Sequence, residues 1–278
     1  MTAAADALRT LAAWPAVAEG LTEAREACTR LRWHEGLRRR APESAAESRV
    51  RGARASAEVD GARSEDAVVR DLLIGVTAWP ERLDPTLSVL RGAIQATVEA
   101  EHVGALVRTA PRQVLARLHT AAAEPLVGAD DLGRPRGVAE CAEFTDLGAA
   151  PPVEPRLTGL VDLLSEVSSP GAPVVLIAAI AHAEIAVVRP FVRGNGLVAR
   201  ALERALLHAH GVDPTGVSVP EVGHLRRAGA PYLGALTAYA GGSRNGIEVW
   251  VRHVCAAVVD GAAEGERIAD AVRAGRLD

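Results

Sequence analysis

An all-α, mostly helical fold is what this sequence predicts, and three observations carry the prediction. Aromatic residues make up only 3% of the chain while hydrophobic residues reach 49%, much of that share alanine. That mixture suits close-packed helices better than strands, which favour aromatic and β-branched side chains. Apolar residues recur at helical spacing in Leu157, Leu160, Val161, Leu164 and Val167, and again in Ile247, Trp250, Val251, Val254 and Val258. No run of alternating β-branched residues occurs. The length, 278 residues, allows one large domain or two small ones.

Taken in order, residues 5–40 read as alanine- and leucine-rich helix, followed by helices over 64–74, 84–101 and 112–126. Residues 41–66 are small and polar, either a linker or a short helix packed back on the rest. Within 128–152, Gly, Pro and Asp punctuate Arg136-Gly-Val138 and Cys141-Ala-Glu-Phe144, the only candidate strands. The stripe from Leu157 to Val167 makes the next helix. Residues 173–187 are apolar nearly all round, as expected of a buried central helix. Helices over 196–210 and 221–239 and the stripe from Ile247 complete the chain.

Composition removes several functions. The 31 basic residues are all arginine, so a Walker A loop and Schiff-base or pyridoxal chemistry, each needing a lysine, are excluded. A net charge of −4 argues against nucleic acid as a partner. The arginines between Arg30 and Arg40 are interspersed with Glu19, Glu23, Glu26 and Glu35, the pattern of a solvated, salt-bridged helix. Cys28, Cys141 and Cys255 have neither disulfide-scaffold nor zinc spacing. The first twenty residues lack a signal-peptide pattern and the longest apolar run is too short to span a bilayer, so a cytoplasmic protein without membrane attachment is expected.

The chemistry concentrates in Val188-Arg-Pro-Phe-Val-Arg-Gly-Asn-Gly-Leu-Val-Ala-Arg200. Gly194 and Gly196 leave bare N–H groups where a helix begins, a natural anion seat. Arg189, Arg193 and Arg200 surround it, and three guanidiniums about exposed amides would suit a phosphate chain. A tight interhelical turn with solvated arginines is the plainer alternative.

This segment resembles the loop of the Fic (filamentation induced by cAMP) family, H-P-F-x-[D/E]-G-N-G-R-x-x-R, matched at Pro190, Phe191, Gly194, Asn195, Gly196 and Arg200. Thr109-Ala-Pro111 to Leu118-His119 is similar to the family's early helix. Gly133-Arg-Pro-Arg136 is similar to its flap, and residues 178–182 and Trp250 match in placement. The resemblance implies a Fic-like helical core over 108–260 within a domain at 104–278, a small β-hairpin flap, and an N-terminal helical extension at 1–103. It also implies a protein target that docks on the 133–146 flap.

The departures fall on the reactive positions. In the family a motif His takes a proton from the target hydroxyl that attacks the α-phosphate of a nucleotide; here it is Arg189, which cannot act as a base. The acid that holds magnesium is Arg193, so no metal site and no Mg²⁺ are expected, and the first motif Arg is Leu197. No catalytic residue is assigned. The expected site is a phosphate-binding one, formed by Arg189, Phe191, Arg193, Gly194, Asn195, Gly196 and Arg200. It would take a nucleotide such as ATP or a phosphorylated small molecule, with standard adenylyl transfer lost. The alternative is a nucleotidyl transferase of altered, metal-independent mechanism using a base from elsewhere, with His182, Glu184 and His208 as candidates. His208 and His210, two apart on a helix, do not make a metal pair.

Many Fic proteins carry an inhibitory helix reading [S/T]-x-x-x-E-[G/N], whose Glu pairs with the last motif Arg. Ser56-Ala-Glu-Val-Asp60-Gly61 is similar, with Asp60 in the Glu position. The implied inhibitory element spans 54–66, with Ser56, Asp60 and Gly61 as its residues and an Asp60–Arg200 pair as its contact. A homo-oligomer is compatible with everything above.

Overall fold

The computed structural model describes residues 2–137 and 141–277. The described residues fold into twelve α-helices joined by turns and three short 3-10 segments, with no strand among them. In order they are α1 Ala3–Ala12, α2 Pro15–Arg32, α3 Leu37–Val59, α4 Asp66–Leu73, α5 Pro85–Val103, α6 Pro111–Ala123, α7 Val153–Ser165, α8 Val174–Val188, α9 Asn195–Ala209, α10 Pro220–Arg226, α11 Ala230–Ala240 and α12 Arg244–Ala274.

Apolar α8 is the central helix, with its side chains buried except at Val174, Ile180 and Glu184. It packs against α7, α9, α11 and α12, and Trp250 of α12 donates its indole N–H to the Ala179 carbonyl at 2.6 Å. One hydrophobic core runs from Leu8 to Val272, so the N-terminal helices share their interior with the rest. Cys28, Cys141 and Cys255 are free and buried. No described helix is long and apolar enough to cross a membrane.

Several sequence expectations need correction. The long N-terminal helix is three helices, broken at Trp14-Pro15 and around residues 33–36. Pro15 cannot donate to the preceding turn and starts α2 instead. The expected helix over 221–239 divides at Gly229, whose φ of 73° belongs to the left-handed region.

Residues 41–66 are not a linker. Most of them form α3, which packs on α5, α10 and α12 and buries Ser44, Glu47, Ser48 and Ser56. Small side chains permit that approach, and Glu47, Ser48 and Ser56 find partners while Ser44 Oγ has none. Ser48 Oγ donates to the Ser218 carbonyl and accepts from Arg204, which also pairs with Glu221 at 3.1 Å. The helix ends at Val59, so the implied 54–66 element is a final helical turn followed by a Gly61 turn with φ 88°.

The β-hairpin is also absent from the described residues. Residues 129–131 and 145–147 form 3-10 turns and the other described residues of 128–152 are irregular, while 138–140, with Val138 of the first candidate strand, lie outside the described residues. The backbone groups there bond to the loop instead of a second strand. Arg136 N–H donates to the Pro190 carbonyl at 2.7 Å, and the Glu143 and Phe144 carbonyls accept from Arg189.

Candidate functional site

Arg189 closes α8 with φ 49°, a left-handed conformation unusual for a side chain of this size. That turn sends the chain through Pro190 to Gly194, whose φ of 84° opens α9. Asn195 ties the loop shut: its Oδ1 accepts from Phe191 N–H at 3.0 Å and its Nδ2 donates to the Phe191 carbonyl at 2.9 Å.

His119 on α6 fixes the loop from beneath. Its ring stacks on Phe191 with centroids 3.9 Å apart and planes 3° from parallel. Nδ1 accepts from Gly133 N–H at 3.0 Å, which leaves the proton on Nε2 to reach the Arg193 carbonyl at 3.0 Å. Burial lowers the His119 pKa to about 4, consistent with a neutral ring serving one acceptor and one donor role. Arg136 completes the support by donating to the Val188, Arg189 and Pro151 carbonyls.

The helix start then presents its N–H groups to an anion, and that anion belongs to the chain itself. Gly194 N–H donates to Glu143 Oε1 at 2.6 Å, while Asn195 donates to Oε2 through its backbone N–H at 2.9 Å and through Nδ2 at 2.8 Å. Burial raises the Glu143 pKa, and nearby Asp60 adds to the rise, outweighing the three donors that pull the other way.

The three arginines do not converge as the sequence implied. Arg193 is exposed and lines a cavity of about 570 Å³ together with Asp60, Glu143, Phe144, Gly194, Gly196 and Leu197. Arg189 is buried and turned into the flap: Nη1 donates to the Glu143 and Phe144 carbonyls at 3.2 and 3.1 Å and Nε to the Val187 carbonyl at 3.2 Å, leaving Nη2 without a partner. The left-handed turn at Arg189 aims it there, away from the amides. Burial lowers its pKa.

Arg200 lies wholly inside. Nε donates to Ser56 Oγ at 2.9 Å, and Nη2 reaches the Ser56 carbonyl at 3.0 Å and Asp60 Oδ2 at 2.9 Å. Burial alone would lower the Arg200 pKa, but Asp60 and then Tyr232 more than offset it. Its Nη1 is buried without a partner and sits 3.2 Å from where a Cβ on Gly196 would stand. Asp60 is equally close, its oxygens 3.0 and 3.1 Å from that point. Gly61 forms the turn that delivers Asp60.

The other named groups lie elsewhere. His182 is fully buried, with Nδ1 at 2.5 Å from Glu203 and Nε2 at 2.7 Å from Tyr232. Glu203 also accepts from His224 at 3.0 Å. His182, Glu203 and His224 form the one group of potential metal ligands among the described residues, and their facing atoms already bond to one another. Glu184 is paired with Arg156 and Tyr239, and His208 faces Gly216. None of the three candidate bases lines the cavity. Glu143 and the supporting role of His119 were missed from sequence; the Leu118-His119 pair in the second half of α6 was a signal for the second, and Glu143 had none.

Comparisons agree with this fold. The model of the Fic/DOC family matches residues 101–207. A Fic family protein from Desulfovibrio desulfuricans G20 superposes with a TM-score of 0.66 at 19% identity, covering 95% of this chain and 76% of that one. Fic-1 (residues 134–508) from C. elegans gives 0.65 at 18% identity, with 93% and 73% covered. A Fic domain containing signaling protein from Bacteroides thetaiotaomicron VPI-5482 gives 0.70 at 14% identity, with 90% and 98% covered. No curated protein matches the sequence. Residues 101–207 of this chain therefore match the Fic/DOC family model, and the chain shares the helical fold of solved Fic structures.

Proposed function

We propose that this Fic-domain protein binds a nucleotide or another phosphate-bearing ligand at the start of α9, with adenylyl transfer by the family's usual route lost. One observation carries the reading: the Gly194 and Asn195 amides and Asn195 Nδ2 converge on a single anionic group. The unpartnered Arg200 Nη1 beside Gly196 supplies a further donor to the same side of the loop.

Loss of the usual route follows from the same residues. Arg189, at the position of the motif base, has no lone pair to accept a proton and is spent on flap carbonyls. The cavity does not suit a divalent cation either. Arg193 stands where the resemblance places an acidic ligand, and the two lining carboxylates are engaged, Asp60 with Arg200 and Glu143 with the amides. In this reading the Asp60–Arg200 pair is a brake, since it occupies the guanidinium that would grip the outer phosphates.

The test is thermal stabilisation by ATP, ADP and inorganic pyrophosphate, with and without magnesium. A ligand at 100 times its dissociation constant adds about 2.7 kcal/mol of stability. Stabilisation without magnesium that disappears in Arg200→Ala supports the reading. No stabilisation by any of the three defeats it, and labelled AMP transferred to protein defeats the loss of activity.

A further inference from the structure

We propose that Glu143 is a gate on the phosphate seat: its carboxylate holds the place of a ligand phosphate, and ligand enters only as the flap segment carrying it swings away. The proposal rests on the phosphate reading above and names how that seat is regulated.

The bonding pattern is that of a ligand. Two oxygens of one group meet two consecutive amides at a helix start, and a third N–H comes from Asn195, as would serve two oxygens of a phosphate. Glu143 itself sits in a turn outside any helix or strand, ahead of a single 3-10 turn at 145–147, so little backbone order is lost when it leaves.

The placement is also costly. Glu143 is largely removed from water and shares the cavity with Asp60, a second carboxylate of the same sign. Two negative charges in one cavity repel, which weakens the hold of the Glu143 carboxylate on the amides. A purely structural cap would have no need to line the open cavity.

What holds the gate closed is Arg189. It grips the carbonyls of Glu143 and of the next residue, Phe144, which itself has a left-handed backbone at φ 51°. The residue at the family's catalytic position has thus become a latch on the flap. Asp60 and Glu143 then restrain the two halves of the seat separately, one at Arg200 and the other at the amides.

The experiment compares full-length wild type with Glu143→Gln and Glu143→Ala. Glutamine keeps the shape with no charge and alanine removes the group, so a fold defect in one variant does not decide the result. Amide hydrogen exchange at Gly194 and Asn195 is measured without ligand, and calorimetry follows inorganic pyrophosphate and ATP. The expected result is faster exchange at both amides and binding tighter by about tenfold or more, the effect of freeing charge-assisted bonds. Unchanged exchange in Glu143→Ala overturns the gate whatever binds. Faster exchange with wild-type affinity makes Glu143 a structural cap, overturning the gate while the phosphate reading stands. No binding by any of the three proteins ends both.

Discussion

His119 lies flat against Phe191 while its two ring nitrogens bond to Gly133 on one side and Arg193 on the other. One buried side chain therefore registers α6, the flap and the loop that leads into α9. His119→Phe keeps a ring in the stack but strands a partly buried N–H, of Gly133, and a partly buried carbonyl, of Arg193. It should lower stability by about 2–4 kcal/mol, read from urea unfolding, and weaken pyrophosphate binding through the displaced loop.

Removing Asp60 separates a local cost from a functional gain. In Asp60→Ala, Arg200 stays buried with Ser56 and Tyr232 still beside it, which costs about 1–3 kcal/mol because Asp60 itself is partly hydrated. The melting temperature without ligand should fall, and the rise on adding ATP should exceed that of wild type. An equal ATP-induced rise in the two proteins would remove Asp60 from its role as a brake.

Stability should decline on acidification from neutral pH. Burial lowers His119 and His182 from 6.5 to about 4 and His253 to about 3, so the folded protein keeps these rings neutral. Between about 4 and 6.5 the unfolded chain binds protons that the folded chain refuses, and stability therefore rises with pH across that window. The ceiling is on the order of 3 kcal/mol per ring. Glu203 adds a later loss: burial alone would raise its carboxyl, but His224 and His182 hold it below the usual range, so its contribution fades as pH drops beneath the ordinary carboxylate value. Urea midpoints at pH 7.5, 6 and 4.5 should descend in that order.

Close approach of α5 to α6 depends on Gly92. A Cβ there would lie 2.1 Å from the Ala122 carbonyl oxygen and 3.1 Å from a Leu197 methyl. Gly92→Ala must push α6 outward, and with it His119 and the loop. The expected cost is about 1–3 kcal/mol, together with weaker pyrophosphate binding. A thermal melt indistinguishable from wild type would show that the helices yield without strain.

Much of this was legible in the residues. Apolar periodicity located α7 and α12, which each bury a stripe, an all-round apolar run located α8, and alanine- and leucine-rich composition located α5 and α9. The spacing of Asp60 and Arg200 against the family pattern named two residues that meet at 2.9 Å. What failed did so for physical reasons. A helical period continues smoothly across Trp14-Pro15, so the break shows only in backbone chemistry. The orientation of Arg189 depends on one left-handed residue, which composition does not disclose for an arginine. Glu143 carries no motif; it matters because an irregular segment folds over a distant helix start, and no local pattern encodes that contact.

Position 196 makes two properties inseparable. The empty space beside its backbone is filled by the Asp60 oxygens and by Arg200 Nη1. Even a methyl group there would crowd the acid that restrains the arginine and the arginine itself in a single step. A mutational screen for a permanently released protein would therefore recover changes at 60 or 143 and never at 196, where release and damage arrive together.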